Sequence, residues 1–97
     1  MDSHIEEIKS ILKEYRFLKL QNDVGLLSGE LKEKLEFLVK CIGALDEESR
    51  LIMESVYISG NTVVRVSKRL YISRPTIYKR VNKILKQIDI LFKQRFM

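Results

Sequence analysis

The chain has little that would interrupt a helix and little that would support catalysis. Its 97 residues include one proline and four glycines. The single cysteine, Cys41, excludes an internal disulfide. Set among apolar neighbours on an expected helix, it reads as a small buried hydrophobe and not as a reactive thiol. The single histidine, His4, has no metal-ligand spacing around it and is expected as a solvated surface residue. No glycine-rich phosphate loop is present, and the carboxylates fall on expected exposed helix faces. Ser28, Ser49 and Ser73 read as caps or surface residues. No catalytic residue, metal or cofactor is therefore expected, and the chain is not expected to be an enzyme. No apolar run opens the sequence or is long enough to cross a bilayer, so neither a signal peptide nor a membrane span is expected, and the setting should be a reducing cytoplasm.

Acids are scarce in one half only. From Asn61 to Met97 there are ten Lys/Arg and one acid, Asp89, a net +9; from Met1 to Gly60 there are eight basic and twelve acidic residues, a net −4, and the two add to the formal +5. A basic block of that density attracts polyanions, and phosphate contacts supply most non-specific DNA affinity. Hydrophobic residues make up 45% of the chain and charged ones 32%, a balance that fits an ordered helix-rich chain and argues against disorder.

The periodicity predicts an all-α fold of about five helices. The first spans about Ser3 to Gln21, with Ile5, Ile8, Leu12, Tyr15 and Leu18 or Lys19 as its apolar stripe. Asn22-Asp23-Val24-Gly25 breaks it. The second follows Ser28 to about Ala44, with Leu31, Leu35, Leu38, Ile42 and Leu45 inward. Asp46 caps the third, with Glu47 and Glu48 against its positive end, and Gly60 closes it as a left-handed residue. Thr62-Val63-Val64-Arg65-Val66 could be a strand by propensity, yet Val63, Val66 and Leu70 recur at i, i+3, i+7 and favour a fourth helix, Val63 to Leu70. Ser73 caps the fifth. Pro75 falls in its first turn, where a missing N–H costs little, and Ile77, Val81, Ile84, Ile88 and Leu91 form its stripe over residues 74–96.

The last two helices have the layout of a helix-turn-helix whose second member enters a DNA major groove. Ser67 is the small residue that lets them cross, and Leu70, Ile72 and Ile77 lock them together. Arg74, Pro75, Thr76, Tyr78 and Lys79 occupy the first turns of the reading helix and are the expected base contacts. Arg74 or Lys79 suits guanine, and Thr76 or Pro75 suits a thymine methyl. Thr62, Arg69, Ser73, Arg80 and Lys83 are the expected phosphate contacts.

The span Leu45 to Leu85 resembles the fourth conserved region of bacterial sigma factors, and resembles still more the RinA/ArpU-type phage late-gene regulators. The match rests on Leu45-Asp46-Glu47-Glu48-Ser49-Arg50, on Tyr57-Ile58-Ser59-Gly60, on Val66-Ser67 before Leu70, and on Ile72-Ser73-Arg74-Pro75-Thr76-Ile77-Tyr78-Lys79-Arg80-Val81-Asn82-Lys83. The chain departs from the family pattern at Arg65-Val66-Ser67, where acidic-Ile-Ala is common, and at Tyr71, where glycine is common. The resemblance implies a phage- or bacterially encoded transcription regulator that binds near promoters, with RNA polymerase as a candidate partner.

Residues 45–97 are thus expected to form the DNA-binding unit and residues 1–44 a helical pair. The stripes of that pair either pack on the helix-turn-helix and its long helical tail, or make a homodimer through the N-terminal helices or the tail. Two other functions fit the same sequence: a DNA-packaging protein of small-terminase type, and a module that binds RNA polymerase without DNA.

Overall fold

The computed structural model describes residues 3–97, and every regular element in them is helical. In chain order these are α1 (Ile5–Lys13), α2 (Tyr15–Asp23), α3 (Gly29–Gly43), α4 (Glu47–Met53) leading into a π-helical turn (Glu54–Ile58), α5 (Val63–Leu70) and α6 (Arg74–Phe96). One apolar core runs through all of them. Ile8, Leu12, Leu38, Ile42, Ile52, Met53, Val66, Ile77, Leu85, Ile88 and Phe92 are its most deeply buried members. The core is continuous across residues 44 and 45, the boundary expected from the sequence. α1 packs directly on α6.

The first expected helix is two. At Glu14 the backbone leaves helical values (φ −96°, ψ 12°), and its N–H is shared between Ser10 O at 3.3 Å and Ile11 O at 3.2 Å. This local tightening, of 3₁₀ character, redirects the chain without a proline. The redirection sends Leu18 into the core. It also lets Arg16 donate from Nε to Ile58 O (3.0 Å) and from Nη2 to Ser59 O (2.7 Å). Those carbonyls end the α4 segment, where a helix exposes unpaired acceptors and a cation is favoured.

The third expected helix also differs from the uniform reading. Past Met53 it widens to π pairing, with Ser59 N donating to Glu54 O at 2.7 Å, and Gly60 then turns the chain at φ 69°. The segment with strand-like propensity is helix α5. Thr62 caps it, its hydroxyl accepting from Arg65 N at 3.2 Å.

α6 corrects the expected stripe at its end. Leu91 is 47% exposed, and Phe92 is 1% exposed in its place. At 3.6 residues per turn the inward face is centred between Val81 and Ile88, not on the line of Ile77, Ile84 and Leu91; Phe92 falls inside that face and Leu91 at its edge. Leu85 lies on the same side of that face as Phe92 and joins the core. Leu31 of α3 is likewise partly exposed, at the start of its helix.

His4 is not a solvated residue. Its backbone N–H donates to Asp89 Oδ1 at 2.9 Å, its ring lies 5.7 Å from that of Phe92, and its Nε2 is buried without a partner. Asp89 is only 7% exposed and lies 3.4 Å from Lys93 Nζ. A buried carboxylate of α6 thus caps the start of α1, where unpaired N–H groups favour negative charge. Beside it Lys34 pairs with Glu7 (2.6 Å) and Glu30 (2.8 Å) and lies over the Phe92 ring at 5.6 Å.

Two outcomes follow. Phe92→Ala should cost about 3–5 kcal/mol, and Leu91→Ala under about 1 kcal/mol, in urea unfolding; the reverse order would refute this register. The hydrogen bond from Lys34 holds the Glu7 carboxyl below its ordinary value of 4.5, against a smaller opposing effect of burial. The stability Glu7 adds is therefore complete above 4.5 and is lost as pH falls through the lower folded value. Glu7 is partly exposed, so solvent screens the effect. In urea titrations across that acid range, Glu7→Gln should unfold more easily than the native chain at neutral pH and converge with it in acid.

Candidate nucleic-acid interface

α5, three connecting residues and the start of α6 make the helix-turn-helix layout. Its inner side is sealed by Val66, Ile77 and the half-buried Leu70 and Ile72. Ser67 lies at the crossing, as its size suggests, and donates from Oγ to Ile72 O at 2.5 Å. The same connection carries a backbone bond from Ile72 N to Ser67 O at 3.2 Å. The turn is therefore held by both main chain and side chain.

Tyr71 ends α5 in the left-handed region (φ 56°, ψ 40°), the single non-glycine residue with positive φ among those described. Its ring is 95% exposed. A tyrosine there carries a steric cost that glycine avoids, and this one recovers none of it by burial.

Ser73 caps α6. Its Oγ accepts from Thr76 N at 3.4 Å and lies 2.8 Å from Thr76 Oγ1. Pro75 occupies the first turn, as expected from its missing N–H. The five expected base contacts, Arg74, Pro75, Thr76, Tyr78 and Lys79, are all exposed, and so are Thr62, Arg69, Ser73, Arg80 and Lys83. At 3.6 residues per turn Pro75, Lys79, Lys83 and Lys86 project from the side of α6 opposite Ile77, Ile84 and Ile88. Asn82 shares that side and is exposed. Asparagine pairs well with adenine edges, and its i+3 spacing from Lys79 was the available signal.

The charges are unevenly committed. Arg80 forms an ion pair with Glu48 at the start of α4. Asp89, the one acid after Gly60, is buried and sits against Lys93. Among the described residues, Arg65, Lys68, Arg69, Arg74, Lys79, Lys83 and Lys86 have no acid within salt-bridge distance, and all are exposed. The surface of α5 and of the first three turns of α6 thus carries uncompensated positive charge. Glu48 escaped the sequence reading because nothing in local spacing brings residue 48 beside residue 80.

Cys41 is half-buried on α3, and burial pushes its thiol above the ordinary range, away from the reactive thiolate. No helix among the described residues is long and apolar enough to cross a membrane. No protein-family model matches the chain, and no curated protein or solved structure matches it either.

Replacing Tyr71 with glycine should raise stability by about 0.5–1 kcal/mol, relief of left-handed strain exceeding the added chain entropy. A lower urea midpoint for Tyr71→Gly would contradict that geometry.

Proposed function

We propose that this chain is a sequence-specific double-stranded DNA-binding transcription regulator of phage or prophage origin, a binding protein and not an enzyme, acting in the cytoplasm. One observation carries the reading. The capped, exposed start of α6 stands beside α5 on a surface whose basic residues, Arg80 excepted, lack acidic partners. A helix of this kind fits a major groove, and its first turns reach base edges while flanking cations hold phosphates.

In this reading Arg74, Pro75, Thr76, Tyr78 and Lys79 face the bases, with Asn82 following on the same side. Thr62 suits a phosphate contact, since the hydroxyl that accepts its capping bond keeps a proton to donate, and Ser73 stands at the exposed start of α6 where an anion is favoured. Arg69 and Lys83 supply charge. Arg80 reaches a phosphate only by releasing Glu48, so its contribution is smaller than its position suggests. Contact with RNA polymerase belongs to the same proposal and rests on the sigma-like sequence pattern alone.

The test is selection of random duplex DNA by the purified protein at about 0.15 M salt. One enriched motif is the expected result. Binding that shows neither sequence preference nor salt dependence would overturn the reading. Within the enriched site, Arg74→Ala should relax base preference at one position. Lys83→Ala should weaken all sequences alike and reduce the salt slope by about one unit.

A further inference from the structure

α5 carries two arginines on one side. Arg65 and Arg69 lie one helical turn apart, so their side chains stand as neighbours. With Asn61 they line a cavity of about 230 Å³ whose floor is the buried Val66. Both arginines are exposed, and among the described residues neither has an acid within salt-bridge distance. Glu54, the acid of the adjoining π-helical turn, is turned to Arg50 at 3.9 Å. Like charges at this spacing oppose each other, and here no acid offsets them. Asn61 is held in place beside them. Gly60 turns the chain at φ 69°, and the Asn61 backbone N–H then donates to Ser55 O at 2.9 Å. Its side-chain amide brings two more N–H donors to the cavity.

We infer that Asn61, Arg65 and Arg69 bind one phosphate group. Three features select it. All three side chains offer N–H donors, two of them cationic, so an anion is the ligand they share. The cavity is smaller than the roughly 300–1,000 Å³ of organic-ligand sites, so it suits a single small group. A carboxylate has two oxygens, and one guanidinium fork occupies both. A phosphate has oxygens enough for two forks and an amide together.

The site belongs to this chain and not to the sigma-like pattern, which commonly has an acid where Arg65 stands. Two sources offer the group: the backbone of duplex DNA and free phosphate. The backbone source rests on the DNA reading, and the pocket itself does not.

The experiment has two arms, both on the full chain. In the first, inorganic phosphate is titrated at fixed ionic strength while NMR follows the arginine Nε–H groups and the Asn61 amide. Saturable shifts are expected at Arg65, Arg69 and Asn61. Arg16, held by the carbonyls of Ile58 and Ser59, should not move. Arg65→Ala should weaken phosphate binding about tenfold with helical circular dichroism unchanged, because the position is exposed. Arg65→Lys keeps the charge, loses the fork and should not restore it. Should Arg65→Ala lose helical signal, Arg69→Ala makes the same test. In the second arm the same variants meet duplex DNA. If the backbone fills the pocket, Arg65→Ala weakens all sequences alike and lowers the salt slope by about one unit. If free phosphate fills it, DNA binding is unchanged and only the phosphate shifts are lost. The inference is overturned if phosphate moves no arginine saturably, or moves all of them alike, and Arg65→Ala also leaves DNA binding untouched. A native chain that binds no DNA removes the DNA reading, and the phosphate arm then decides the pocket alone.

Discussion

The structure depends on one helix being apolar along a single face for most of its length. From Ile77 to Phe92, α6 lays that face beneath α1, α4 and α5, and α3 closes over its end through Phe37 beside Phe92 and Phe96. Each fully buried Ile, Leu or Phe in that face contributes roughly 1.5–3 kcal/mol relative to exposure. The same geometry leaves the opposite face of α6 free over its first turns. Those turns can present Pro75, Lys79, Asn82 and Lys83 because they need no polar side for packing. The elements that stabilise the chain and those that would recognise a partner share one rod, divided by the 3.6-residue period.

Charge is sorted by the same division. Negative groups are placed where they cap or pair: Asp46 at the start of α4, Asp89 at the start of α1, Glu7 and Glu30 around Lys34, Glu48 against Arg80. The cations of α5 and α6 are mostly left without acids. The buried position of Asp89 matters twice here. It anchors the N-terminus, and it withdraws the one acid of the last 37 residues from the outer surface. The N-terminal helices are therefore structural partners of α6, packed in a common core with it.

Much of this was legible in the chain. The helices after Ser28, Asp46, Thr62 and Ser73 follow from capping residues and apolar spacing, both local signals. The helix-turn-helix layout and the exposure of Arg74, Pro75, Thr76, Tyr78 and Lys79 follow from them. The break at Glu14 left no mark in composition, because its cause lies 42 residues away, in carbonyls that Arg16 satisfies only when α2 swings. His4 was misread for the same reason, since its acceptor Asp89 is 85 residues distant. Leu91 and Phe92 exchanged places because the buried face of α6 is centred between Val81 and Ile88, which only the packing of α1, α4 and α5 decides.

The sequence by itself determined the all-helical character, most helix boundaries, and a basic C-terminal segment, because propensity, caps and charge act within a few residues. Only the tertiary structure decided which charges remain free, which helix bends, and which apolar stripe has no cover. Those outcomes are set by contacts between residues far apart in the chain. Phe17, Leu20 and Val24 have a spacing as core-like as any in the molecule; they face solvent because α2 turns Leu18 to the core.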